Sequence, residues 1–111
     1  MSTRATERFR NSFIPEQTTV VMRGEEILGF YMVTLGEQKL FLNHLYIDPK
    51  FQGRGIGTKL LNHAKQIALV NNTGIELEAL KERRSNSFYS SNGFVKIGES
   101  EFDNLYRWKE S

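Results

Sequence analysis

An apolar run from Lys39 to Ile47 is stopped by Pro49, and Gln52-Gly53-Arg54-Gly55-Ile56-Gly57 then opens a clean amphipathic helix. No other stretch restricts the fold of this chain as tightly. Glycines between a strand and a helix leave backbone N–H groups unobstructed, and the helix dipole aims them at one point. Such a turn is an anion site. It is not the Gly-x4-Gly-Lys-Ser/Thr phosphate loop, because Gly57 is followed by Thr58 and only then by Lys59. Nor is it the dinucleotide fingerprint, whose third glycine would fall at Thr58. The pattern that fits is Gln-x-x-Gly-x-Gly. The competing explanation is a tight turn whose glycines only permit close packing.

The flanking segments predict an α/β fold with a central sheet of mixed direction. Ser2 to Pro15 reads as a short helical piece ended by its proline. Thr18 to Met22 is β-branched and reads as a strand, and Arg23 to Glu26 turns it into a second arm, Ile27 to Thr34. Lys39 to Ile47 is apolar on both faces, with Phe41, Leu45 and Ile47 on one and Leu40, Leu42 and Tyr46 on the other. That pattern predicts a central strand covered on both sides. The helix expected from Thr58 to about Val70 aligns Leu60, Leu61, Ala64, Ile67 and Ala68. Ile75 to Leu80 follows as a parallel crossover strand. A short helix over Glu82 to Ser91, capped at Asn92-Gly93, and a closing hairpin of Val95 to Gly98 and Leu105 to Lys109 complete the chain.

With 111 residues, the chain is expected to form one domain, residues 1–111, with one modest core. A net charge of +2 argues against nucleic acid or an anionic membrane as a general partner. The chain has no cysteine, which removes disulfides, thiolate metal sites and cysteine nucleophiles. Its two histidines make no ligand set, so no metal is expected. No apolar run approaches the roughly 20 residues of a membrane span, and no signal-peptide core opens the sequence. A cytoplasmic protein is the expectation.

Leu45-Tyr46-Ile47-Asp48-Pro49-Lys50-Phe51, together with Gln52 through Leu61, resembles motif A of the GNAT superfamily of acyl-CoA-dependent N-acyltransferases. A second block, Phe88-Tyr89-Ser90-Ser91-Asn92-Gly93-Phe94, resembles the Tyr-x-x-x-Gly-Phe segment of that family. The resemblance covers roughly Thr18 to Lys109. It implies transfer of an acetyl or other acyl group from acetyl-CoA to a primary amine by direct attack. It also implies pyrophosphate on the backbone of Gly53 to Thr58, including Gly55, Ile56 and Gly57, with Gln52 at the mouth of the turn. Arg54 and Lys59 stand near as phosphate partners, and the pantetheine arm pairs with Leu45, Tyr46 and Ile47 like an added strand. Family members usually begin with one more strand and two helices that form a lid over the acceptor site; here only Ser2–Pro15 stands in that place.

Tyr89 is the candidate general acid, since a phenol keeps its proton to about pH 10 and can give it to a departing thiolate. Its competing role is packing beside Phe88 and Phe94. Glu78 resembles a glutamate that some family members use as base, with Glu76 on the same face; both equally suit a solvated strand face or an ordinary charge pair. The positions that hold other family bases carry Phe41 and Asn43, while His44 is expected to point away from Asn43 and His63 to lie on the surface. The family's asparagine seven residues before the tyrosine is replaced by Glu82 or deleted, which leaves Asn86 as a weak substitute for that cofactor contact. Arg83 and Arg84 read as solvated, with a place near the nucleotide phosphate as the alternative. A homodimer is expected to cover the edge left by the absent first strand. The alternative function is a non-catalytic CoA-binding or interaction module; an open acceptor face would also suit a macromolecular substrate.

Overall fold

The structure, a computed structural model, describes residues 7–12, 17–36 and 38–110. Its strands are β1 (Glu7–Ser12), β2 (Gln17–Arg23), β3 (Glu26–Leu35), β4 (Lys39–Ile47), β5 (Gly74–Leu80), β6 (Val95–Glu99) and β7 (Asp103–Trp108). They build a seven-stranded sheet in the order β1-β2-β3-β4-β5-β7-β6. Only β4 and β5 run parallel; every other pair is antiparallel. The helices are α1 (Ile56–Val70) and α2 (Ser85–Ser91), and a single 3-10 turn spans Pro49–Phe51. The mixed α/β sheet expected from the sequence is the fold.

The N-terminal expectation is corrected. Glu7–Ser12 is a strand rather than a helix, and it pairs along its whole length with β2. Six residues make too few internal hydrogen bonds to hold a helix alone, whereas the free edge of β2 offers a full ladder. A strand therefore does precede the hairpin; the remainder of the expected helical piece, residues 2–6 and 13–15, lies outside the described residues.

Both helices lie on one face of the sheet. Val21, Tyr31, Val33, Leu40, Leu42, Ile75, Leu77 and Tyr106 point to that side, where they join Leu60, Leu61, Ala64 and Ala68 of α1 and Tyr89 of α2 in one core. Among the described residues, nothing is layered on the opposite face. Phe41 is 38% exposed and Tyr46 46%, so β4 is central in the sheet but covered on one side only.

A β-bulge explains why strict alternation misassigned β4. Val33 pairs with Leu42 and Met32 with His44, which leaves Asn43 as the extra residue. The inserted residue resets the phase. Leu45 and Ile47 thereby turn onto the helix-covered face shared by Leu40 and Leu42. Asn43 turns the other way and donates to Thr34 Oγ1 at 2.7 Å. His44, opposite Met32, shares that open face with Asn43, contrary to the expectation from its position in the sequence.

Candidate active site

The bulge also opens the sheet. Pairing between β4 and β5 ends at Leu42 and Leu77, although β4 continues to Ile47 and β5 to Leu80. A bulge bends its strand, and from Asn43 onward the β5-facing edge of β4 has no strand beside it. A cavity of about 360 Å³ occupies the gap, lined by Asn43, His44 and Leu45 on one side and Glu78 and Ala79 on the other, with Tyr89 at its inner wall. An unpaired strand edge beside a cavity is built to receive an extended ligand by strand addition.

Next to it lies a larger cavity of about 620 Å³, walled by Leu45, Ile47, the glycine turn, Phe88 and Tyr89. The turn is held from behind. Asp48 accepts from the Lys50 N–H at 2.9 Å, and Gln52 Nε2 donates to the Ile47 carbonyl at 3.2 Å, which ties the end of β4 to the start of the loop. Gly53 has φ +79° and Gly55 φ +80°, and a Cβ at either would meet nothing within 4 Å. These two glycines serve backbone conformation and leave an open cradle, so close packing does not account for them. Gly57 is the packing glycine: a Cβ there would lie 2.8 Å from Cζ of Phe88. Gly55 caps α1 without any side-chain hydrogen bond, and no acidic residue occupies the first turn. The opening N–H groups of α1 therefore face the cavity wall uncapped. The helix begins at Ile56, two residues before the predicted start, because Gly55 in the left-handed region already sets its direction.

Tyr89 is 8% exposed and borders both cavities. Its ring lies 5.4 Å from Phe88, 5.7 Å from Phe94 and 6.1 Å from Tyr106. Burial pushes its phenol up to about 12. The ring packs as its competing role expects, and the buried phenol keeps its proton across the neutral range. Glu78 is exposed on the open face and lines the gap opposite Asn43. Glu76 is bound to Lys39 at 3.1 Å.

Three further residues lie elsewhere than the sequence suggests. Asn86 spends its amide inside the fold: Nδ2 donates to the carbonyls of Leu80 and Arg83, each at 2.9 Å, and Oδ1 accepts from Asn104 at 3.0 Å and from the Tyr106 hydroxyl at 2.8 Å. It borders neither cavity, and neither does Arg54. His63 is half-buried rather than superficial, with Nδ1 2.6 Å from the hydroxyl of the fully buried Tyr31. Burial lowers its pKa. The helix predicted from Glu82 starts only at Ser85, because Glu82 adopts φ +65° and cannot continue a right-handed helix. That turn carries Arg84 to the larger cavity and Arg83 to the smaller one. Among the described residues, no cluster of three or more metal-ligating side chains occurs.

Comparison with known proteins identifies the family. The family model described as acetyltransferase (GNAT) domain matches residues 15–96. The chain belongs to the GNAT acetyltransferase family. A GNAT relative, the peptidyl-lysine N-acetyltransferase YjaB of Salmonella typhimurium, is 33% identical over 101 residues, covering 89% of this chain and 65% of the relative. Its Escherichia coli counterpart is 30% identical over 96 residues, covering 85% and 60%. The chain spans less than two thirds of the length of these curated relatives. Among solved structures, a GNAT family acetyltransferase from Elizabethkingia anophelis with acetyl-CoA bound superposes with a TM-score of 0.79 at 13% identity, covering 98% of this chain and 100% of that one. The PaiA N-acetyltransferase of Thermoplasma acidophilum in complex with coenzyme A gives a TM-score of 0.77 at 23% identity, covering 84% and 60%. At these identities the likeness is one of fold.

Proposed function

We propose that the chain transfers an acetyl group from acetyl-CoA to a primary amine on a peptide. The observation that carries this reading is the shared wall. Tyr89 borders both the cavity at the glycine turn and the gap between β4 and β5, so one phenol stands where a phosphate-bearing donor and an open acceptor face meet. The residues fit such a donor. Gly53, Gly55, Ile56, Gly57 and Thr58 offer backbone N–H groups from an open cradle to its diphosphate. Leu45, Tyr46 and Ile47 offer an unpaired strand edge to its amide-bearing arm.

The donor supplies the thioester; the chain supplies proton control and exclusion of water. Tyr89 holds a proton throughout the neutral range and gives it to the sulfur as the carbon–sulfur bond breaks. Glu78, on the solvent side of the gap, takes a proton from the incoming ammonium, which at an ordinary lysine pKa is almost wholly charged. A backbone amide of the unpaired β4 edge stabilises the oxyanion in a site shielded from water.

The peptide acceptor is supported by the open sheet face, which Glu78 and Asn43 border, and by the likeness to the YjaB peptidyl-lysine N-acetyltransferases. Cytoplasm is the proposed location; no helix among the described residues is long and apolar enough to cross a membrane. A homodimer is proposed as the assembly. Its support is now the β6 edge, where Val95 and Ile97 are exposed apolar residues, since β1 already covers the edge of β2. Incubation with acetyl-CoA and a panel of lysine peptides and small amines, read by mass spectrometry, tests the acceptor. Acetylated peptides are expected; modification of the small amines alone would refute the peptide reading.

A further inference from the structure

We infer that Arg84 is the counter-ion for the donor's diphosphate, held across the cavity from the glycine turn. The inference rests on the acyl-CoA reading of that cavity. A helix N-terminus contributes only about half a positive charge, which leaves most of a diphosphate's charge to side chains. Arg54 and Lys59, the cations adjacent to the turn in sequence, do not line the cavity. Arg84 does, and it is the only charged side chain among the described residues that line it. Its guanidinium is in no ion pair with a described carboxylate.

The backbone beneath it is fixed in advance. Glu82 at φ +65° reverses the chain after β5. Asn86 then fastens the carbonyls on either side of that reversal, Leu80 and Arg83, while its own oxygen is held from β7 by Asn104 and Tyr106. The asparagine thus acts as a positioning residue for the arginine. The planar, permanently charged guanidinium matches two phosphate oxygens at once.

Calorimetry with CoA, 3′-dephospho-CoA and pantetheine on wild type, Arg84→Gln and Arg84→Lys tests this. Arg84→Gln should bind CoA and 3′-dephospho-CoA alike about 10- to 100-fold more weakly, the range of one lost charge-assisted hydrogen-bond pair. Pantetheine, which has no phosphate, should bind both proteins equally. Arg84→Lys should fall between, and the wild-type affinity for CoA should decline more steeply with salt than that of Arg84→Gln. Arg84 is exposed and its side chain caps nothing, so the variants should melt with wild type. Equal CoA affinity in wild type and Arg84→Gln would overturn the inference while leaving the cavity assignment intact. A loss confined to CoA would move the guanidinium to the 3′-phosphate and overturn it too. Wild type that binds none of the three ligands would instead refute the functional reading itself.

Discussion

Gly57 and Phe88 meet so closely that a methyl group on residue 57 would sit 2.8 Å from the Phe88 ring. This contact joins the first turn of α1 to α2, and hence the glycine turn to Tyr89. Gly57→Ala should push α2 away and cost about 1–3 kcal/mol, as overpacking does. Gly55→Ala meets no protein atom but must hold φ +80°, which costs about 1–2 kcal/mol through the left-handed backbone alone. The two variants should separate in the near-ultraviolet spectrum, where only Gly57→Ala disturbs the Phe88–Tyr89 ring pair.

Tyr89→Phe retains the ring contacts and removes the proton donor. Turnover should fall about 10²–10⁴-fold, with CoA affinity unchanged. Steady-state kinetics beside calorimetry decides between this role and packing. Equal turnover would leave Tyr89 with packing only.

Tyr31 and His63 tie β3 to α1 and set the pH dependence of stability. The folded pKa of His63 lies below 6.5, so its contribution is present above that pH and is lost as the pH falls and the unfolded chain takes up the proton. Glu99, held low by Lys96 and then Lys81, adds a loss only under more acidic conditions. Tyr31 and Tyr89 are both raised from 10.0 to about 12, so each adds stability below pH 10 that is lost toward pH 12. That alkaline loss is on the order of 2 kcal/mol per tyrosine. Urea denaturation across pH should show both limbs, with the shallow one below pH 6.5 removed by His63→Gln.

Asn86→Ala should loosen the start of α2 from β5 and β7. It leaves the Leu80 and Arg83 carbonyls, the Asn104 amide and the Tyr106 hydroxyl without their partner. A loss of about 1–2 kcal/mol is expected, because the part-buried Asn104 amide and Tyr106 hydroxyl lose their acceptor while the exposed carbonyls turn to water. Chemical denaturation measures it.

The strand, glycine turn and α1 were legible because period and punctuation agree there: alternating or continuous apolar residues, then Gly53 and Gly55, then an i, i+3, i+4 stripe. Tyr89 was singled out differently, by the resemblance of Phe88 to Phe94 to the family's Tyr-x-x-x-Gly-Phe segment. What the sequence concealed is tertiary. A bulge at Asn43 leaves no mark in composition, yet it decides which face Leu45 and Ile47 occupy and where β4 leaves β5. The β1 assignment depended on a partner strand rather than on local propensity. Asn86 looked like a ligand contact by its place relative to Tyr89, but the reversal at Glu82 turned its amide toward β5 and β7. His63 carried a surface pattern by helical spacing, and only the hydroxyl of Tyr31 draws it inward.

Release of free thiol from acetyl-CoA, followed with and without a lysine peptide, tests the central claim most directly. Release should require the peptide, saturate with it, and match the acetylated peptide mole for mole. Saturable binding of acetyl-CoA without peptide-dependent thiol release would contradict transfer and make the chain a CoA-binding module.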